Sequence, residues 1–268
     1  MARVLSVQDL SCMGKCSLTV ALPVLSAMGI SCSVLPTAVL STHTAFPAPV
    51  VTPMTDSMAS MAEHMRSSGA KFDAVSVGYL SDPKQAEQAE KILSLFDAIK
   101  VVDPAMGDHG KLYSGMTPEH VCAMAKLCRK GNILLPNLTE AALLTGLPFR
   151  TDADPKYLRE LAEGMLAFGA DGVVITGIIW DSTHTGFVCA QKDGSFLTYQ
   201  ADRIPRSQHG TGDMFCAVCT GALALKKTLP EGAQLAASFV EKVVQNTPVS
   251  TPFGAEFETC LPWLWEQI

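Results

Sequence analysis

The feature that most constrains this chain is an alternation of two patterns. Short β-branched runs, "RVLSV" (3–7), "CSVLP" (32–36), "DAVSVG" (73–78), "IKVVDP" (99–104), "NILLPN" (132–137) and "GVVITG" (172–177), are separated by longer stretches with apolar residues at helical spacing. Helices are predicted at about 15–28, 55–68, 83–97, 117–129, 139–145 and 155–168. Strands that alternate with helices pair in parallel, because each crossover carries the chain back along the sheet, and the helices then cover both faces. The predicted fold is therefore α/β: a three-layer α/β/α sandwich around a central, largely parallel sheet. Beyond residue 177, "THTGFVCAQKDGSFLTYQA" predicts an antiparallel hairpin turning near Lys192-Asp193-Gly194, and two helices, about 213–227 and 230–247, close the chain. With 48% hydrophobic residues, the 268 positions can bury a sizeable core, and no repeat or composition break marks a linker, so 1–268 reads as one domain.

In sheets of this kind ligands gather beyond the carboxyl ends of the strands. The polar residues there are Gln8, Asp9 and Ser11, then Gly78 and Tyr79, Asp103, Asn137, Thr139 and Glu140, and Thr176. A further stretch, "HGTGDMFCAVCTGALAL" (209–225), sets a glycine turn directly against a helical pattern. Glycines let a turn expose consecutive N–H groups, and a helix N-terminus adds unpaired donors, so Gly210, Thr211 and Gly212 suit an anion. Asp213 beside them suits a base, or else an ordinary helix cap; the stretch alone leaves both readings open. Asp103 and Glu140 suit magnesium, which takes oxygen ligands and needs only one or two carboxylates near a triphosphate, directly or through water. "STHTAFP" (41–47) places Thr42, His43 and Thr44 beside Phe46, a mix suited to a flat polar ring, although a lone His among apolar residues is commonly structural. "MGKCS" (13–17) fails as a P-loop, since Cys16 and Asp9 stand where Ser or Thr and Gly are needed. Lys15 then reads as an exposed residue of the first helical turn.

Twenty Lys and Arg against 26 Asp and Glu give a net charge of −6, which argues against nucleic-acid and anionic-membrane partners. No stretch approaches the roughly 20 apolar residues of a membrane span, and the start reads as a strand, so a cytoplasmic location is expected. The nine cysteines include no second pair at zinc spacing beside Cys216 and Cys219, and are expected to be reduced and mostly buried.

In order, "RVLSVQDLS", "STHTAF", "VGYL", "DPAMGD", "PNLTE", "VVITG" and "HGTGD" make a set, and over nearly its whole length the chain resembles a pyridoxal or pyridoxamine kinase of the ribokinase-like superfamily. The resemblance implies a ribokinase-like fold and ATP-dependent phosphorylation of the 5′-hydroxymethyl group of a vitamin B6 form. It implies Asp213 as catalytic base, with Gly210, Thr211 and Gly212 as the anion hole. Asp103, Asn137 and Glu140 match the magnesium and phosphate region, Thr176 a nucleotide contact, and Lys111 a charge on a loop near the phosphates. Thr44 and Tyr79 match positions beside the pyridine ring, where Asp9, Ser11 and His43 are further candidates. Mg²⁺ is the implied cofactor with ATP as co-substrate, a monovalent cation is an open addition, and a homodimer is implied. Many such kinases carry Ser-His after the Gln of the first strand, whereas this chain has Asp9-Leu10, which leaves open which B6 form is preferred. A hydroxymethylpyrimidine kinase of the same fold, or a catalytically weak nucleotide- or B6-binding regulatory protein, are the rival readings.

Overall fold

The computed structural model describes residues 1–206, 208–249 and 251–268. Its strands in chain order are β1 (Arg3–Ser11), β2 (Ser31–Leu40), β3 (Val51–Pro53), β4 (Ala74–Val77), β5 (Ile99–Val102), β6 (Gly107–Asp108), β7 (Lys111–Leu112), β8 (Ile133–Leu134), β9 (Gly172–Ile179), β10 (His184–Gln191) and β11 (Phe196–Asp202). The helices are α1 (Leu18–Ala27), α2 (Met58–Ser67), α3 (Lys84–Leu95), α4 (Pro118–Cys128), α5 (Leu138–Thr145), α6 (Pro155–Leu166), α7 (Thr211–Ala224), α8 (Leu229–Asn246) and α9 (Leu261–Glu266). Nine strands form one sheet in the order β11-β10-β9-β8-β5-β4-β1-β2-β3. The strands from β2 to β9 in that order pair in parallel, and β3 at one edge and the β10–β11 hairpin at the other are antiparallel.

The apolar runs of the central strands follow from burial on both faces. Against one face pack α2 to α6, with Ile92, Leu127, Leu161 and Met165 fully buried; against the other pack α1, α7, α8 and α9, with Val24, Met214, Phe239 and Leu264. Helix α7 runs through the middle of its layer, so every residue from Met214 to Ala224 is buried, which accounts for its small and apolar composition. Local signals set the helix starts: Asn137 with Glu140 and Thr228 with Glu231 form reciprocal capping boxes, and Asp154 accepts the Lys156 N–H ahead of Pro155.

The three-layer arrangement and each of the six parallel strands agree with the pattern in the sequence. Three elements lie outside it. β3 has three residues and the β6–β7 hairpin two in each strand, too few to show a period, and α9 is a further short helix after the two expected to close the chain. Lys15 also departs from expectation: it precedes α1 rather than belonging to its first turn, and its ammonium is held 2.8 Å from Glu258 and over the Phe257 ring.

Candidate active site

The chain leaves β1 for β2 on one side and places β4 on the other, with α1 on one face and α2 to α6 on the opposite face. β1 and β4 therefore flank the point at which the strand order reverses, and crevices open at such points. Asp9 stands at this edge of β1 and Tyr79 just beyond β4. The β1–β2 register shifts here: Gln8 pairs with Pro36 and Leu10 with Val39, so Asp9 faces Thr37 and Ala38 together. Such bulges re-aim side chains and are common beside active sites. Asp9 is 3% exposed and accepts hydrogen bonds from the Ser17 hydroxyl and, at 3.1 Å, the Ser11 hydroxyl. Burial raises its proton affinity and the two hydroxyls oppose that rise. Tyr79 is anchored through its carbonyl by Thr37 Oγ1 at 2.9 Å, and its phenol is pushed up by burial and by the Asp9 charge.

Opposite them begins α7. Gly210 is its N-cap residue, with φ +87°, and a Cβ there would lie 2.2 Å from the Lys15 carbonyl oxygen, so both backbone conformation and close approach require glycine. Gly212 is different: a Cβ would meet nothing within 4 Å, and its φ lies outside the left-handed region. Glycine in a helix costs roughly 0.5–1 kcal/mol relative to alanine, and none of the packing described around Gly212 requires it. Among the described residues no side chain caps this helix start at Gly210. Asp213 is the third helical residue, in the first turn, and its carboxylate meets the Ser17 N–H and its own N–H. It is partly buried, and burial pushes its pKa up to about 7, against the stabilising effect of the Ser17 N–H and with a further rise from the Asp9 charge. Ser17 thus stands between two carboxylates, with φ 49° and ψ −126°, a conformation rare for any residue but glycine.

A second set surrounds the end of β5. Glu140, 2% exposed, accepts N–H groups from Met106 at 3.0 Å and Asn137 at 2.8 Å, while the Asn137 side chain caps α5 and donates to the Gly107 carbonyl at 2.8 Å. Thr139 Oγ1 receives the Gly110 N–H, and Asn137 is bridged to Thr176. These bonds fasten the β6–β7 hairpin over α5. Asp103 and Glu140 are both raised above the usual carboxylate range, first by burial; Asp103 also feels the charges of Glu140 and Asp213. Tyr113, beyond β7, feels Glu140, Asp108, Asp103 and Asp213 together after burial, which places its phenol at the same acidic end. Among the described residues no Lys or Arg pairs with Asp9, Asp103, Glu140 or Asp213. Two hard carboxylates without a counter-charge fit a divalent cation, and since no group of three or more ligating side chains is found among the described residues, the remaining ligands would be water and substrate oxygens.

His43 is 5% exposed; its ring packs against Phe46 and His209 at 4.8 and 4.9 Å and fills the space that a Cβ on Gly14 would occupy. Burial, then the neighbouring His209, lowers its pKa. The Pro252 carbonyl approaches the ring, and among the described residues both His43 Nε2 and Thr42 Oγ1 are buried without a hydrogen-bond partner. Thr44 and Lys111 are exposed and make no side-chain hydrogen bond among the described residues. The fold therefore gathers Asp9, Ser11, Tyr79 and Asp213 in one set and Asp103, Asn137, Glu140 and Thr176 in another, with Asp213 felt by both. Sequence reasoning missed Ser17 and Tyr113. Ser17 carries no spacing signal, and Tyr113 stood at the end of a loop read for its glycines and lysine.

Known proteins share this architecture. A pyridoxal kinase from Lactobacillus plantarum superposes with a TM-score of 0.90 at 31% identity, covering 100% of this chain and 98% of that one. A candidate phosphomethylpyrimidine kinase from Bacteroides thetaiotaomicron, crystallised with pyridoxal, superposes with a TM-score of 0.93 at 31% identity, covering 98% and 95%. The pyridoxine/pyridoxal/pyridoxamine kinase of Bordetella bronchiseptica is 27% identical over 258 residues, 91% of this chain and 89% of the relative. The profile of the phosphomethylpyrimidine kinase family runs through residues 21–255, from within α1 to beyond α8, and the chain belongs to that family.

Proposed function

We propose that this protein transfers the γ-phosphoryl group of ATP to the 5′-hydroxymethyl group of a vitamin B6 form. The observation that carries the reading is Asp213: a carboxylate whose pKa burial pushes up to about 7, in the first turn of a helix that starts at a glycine, and which feels the Asp9 charge. Phosphoryl transfer needs in-line placement, compensation of charge and a base for the attacking hydroxyl. The N–H groups of Gly210 to Gly212 would receive the phosphoryl oxygens, and Asp213 would take the proton of the alcohol as it attacks. Tyr79 offers a flat apolar face for the ring. Asp103 and Glu140 would hold Mg²⁺, which when bound neutralises phosphate charge. Asn137 and Thr176 would line the nucleotide side, with Lys111 on the hairpin above. The relatives' names and the bound pyridoxal of the Bacteroides protein support this substrate class.

The chain works in this reading as one domain over 1–268, as a homodimer. Nine free thiols favour the reducing cytoplasm, and among the described residues no helix is long and apolar enough to cross a membrane. A hydroxymethylpyrimidine/phosphomethylpyrimidine kinase of Bacillus subtilis, 28% identical over 184 residues, makes hydroxymethylpyrimidine the rival acceptor. A coupled assay of ADP release against pyridoxal, pyridoxine, pyridoxamine and hydroxymethylpyrimidine separates the two. In the same assay Asp213→Asn is expected to lower kcat by about 10²–10⁴, the usual worth of a positioned base, while nucleotide affinity changes little. Near-normal turnover by the folded variant would remove Asp213 from the mechanism.

A further inference from the structure

We infer that Asp9 selects the ammonium-bearing B6 form, so that pyridoxamine is the preferred acceptor; this rests on the B6 reading of the site. The β1–β2 register shifts between Gln8 and Leu10, so Asp9 stands opposite two residues of β2, while β4 runs along the other side of β1 and leads to Tyr79, whose phenol feels the Asp9 charge. The carboxylate is 3% exposed, and the side chains that donate to it among the described residues are the hydroxyls of Ser11 and Ser17, beside a contact from its own N–H.

Hydroxyls and a backbone N–H bring hydrogen bonds but no positive charge, so these donors leave the carboxylate uncompensated. A buried carboxylate is costly unless a cation meets it. The surroundings supply none: Tyr79 is neutral, Asp213 carries the same sign, and Lys15, on the loop that follows β1, is committed to Glu258. The countercharge must then come with the substrate. Of the three B6 forms, pyridoxamine alone carries an aminomethyl ammonium; the formyl and hydroxymethyl groups of the others are neutral. The two serine hydroxyls hold the carboxylate in place to accept from it.

The test compares kcat/KM for pyridoxamine with that for pyridoxine, in the intact protein and in Asp9→Asn and Asp9→Ser. The wild type is expected to favour pyridoxamine, and both variants to reduce that ratio by about tenfold to a hundredfold, the range for losing a charge-assisted hydrogen bond. Equal losses on all three forms would overturn the inference, since a contact with the ring nitrogen or a structural role would act on every form alike. If neither variant folds, the wild-type ratio decides: a value at or below one overturns it. A wild type inactive on every B6 form defeats the proposed function itself, whereas activity without preference for pyridoxamine defeats only this inference.

Discussion

At the scale of single residues, Ser17 has the least freedom. Its hydroxyl donates to Asp9 and its N–H lies toward Asp213, and to do both from the start of α1 it occupies φ 49°, ψ −126°. Strained backbone of this sort costs about 1–3 kcal/mol and persists where surrounding structure fixes it. Replacement by Gly and by Ala removes the hydroxyl equally, but only Gly relieves the backbone. Ser17→Gly is therefore expected to be more stable than Ser17→Ala by about 1 kcal/mol or more in denaturant unfolding. Equal midpoints would show that the conformation is unstrained.

At the scale of elements, the end of β5 and the start of α5 act together. Glu140 closes the capping box of α5 and also receives the N–H of Met106, so one side chain ties the helix to the loop that leaves β5, whereas Asp103 makes no such tie with its side chain. The two carboxylates should thus respond differently to substitution. Asp103→Asn is expected to raise the Mg²⁺ concentration for half-maximal activity about tenfold, the change that a loss of about 1.4 kcal/mol produces, with amide exchange unchanged. Glu140→Gln is expected to raise it as well and in addition to speed hydrogen exchange at Met106 and Gly107. An unaltered Mg²⁺ curve in both variants would take the pair out of the metal site.

For the whole molecule, four carboxylates from β1, β5, α5 and α7 meet at one end of the sheet without a paired cation among the described residues. Asp213 shows the consequence for stability. Its folded pKa, about 7, lies above its ordinary value of 3.8, so the folded state binds the proton more tightly than the unfolded chain. That contribution is fully present below pH 3.8 and is lost as pH rises through about 7. Asp213→Asn carries no charge at any pH and escapes the loss. It is expected to melt several degrees above the wild type at pH 8, given that about 1 kcal/mol moves Tm by about 2–4 °C in large domains, and to match it at pH 4. A gap independent of pH would assign the effect to packing instead.

The alternation of strands and helices and the β10–β11 hairpin were legible in the sequence because each is set by neighbours a few positions apart, through period, propensity and turn residues. The glycine turn before α7 was legible for the same reason. β3, β6–β7 and α9 were not, being too short to display a period. Nor could any local pattern show that Gly210 and not Asp213 takes the N-cap position, or that the Asp213 carboxylate is buried against Ser17. The acidic end of the sheet, the register shift beside Asp9 and the serine between Asp9 and Asp213 arise only in the tertiary structure. Parallel strands bring distant segments side by side at their carboxyl ends, and the meeting of side chains there depends on strand order and register, which no stretch of sequence contains by itself.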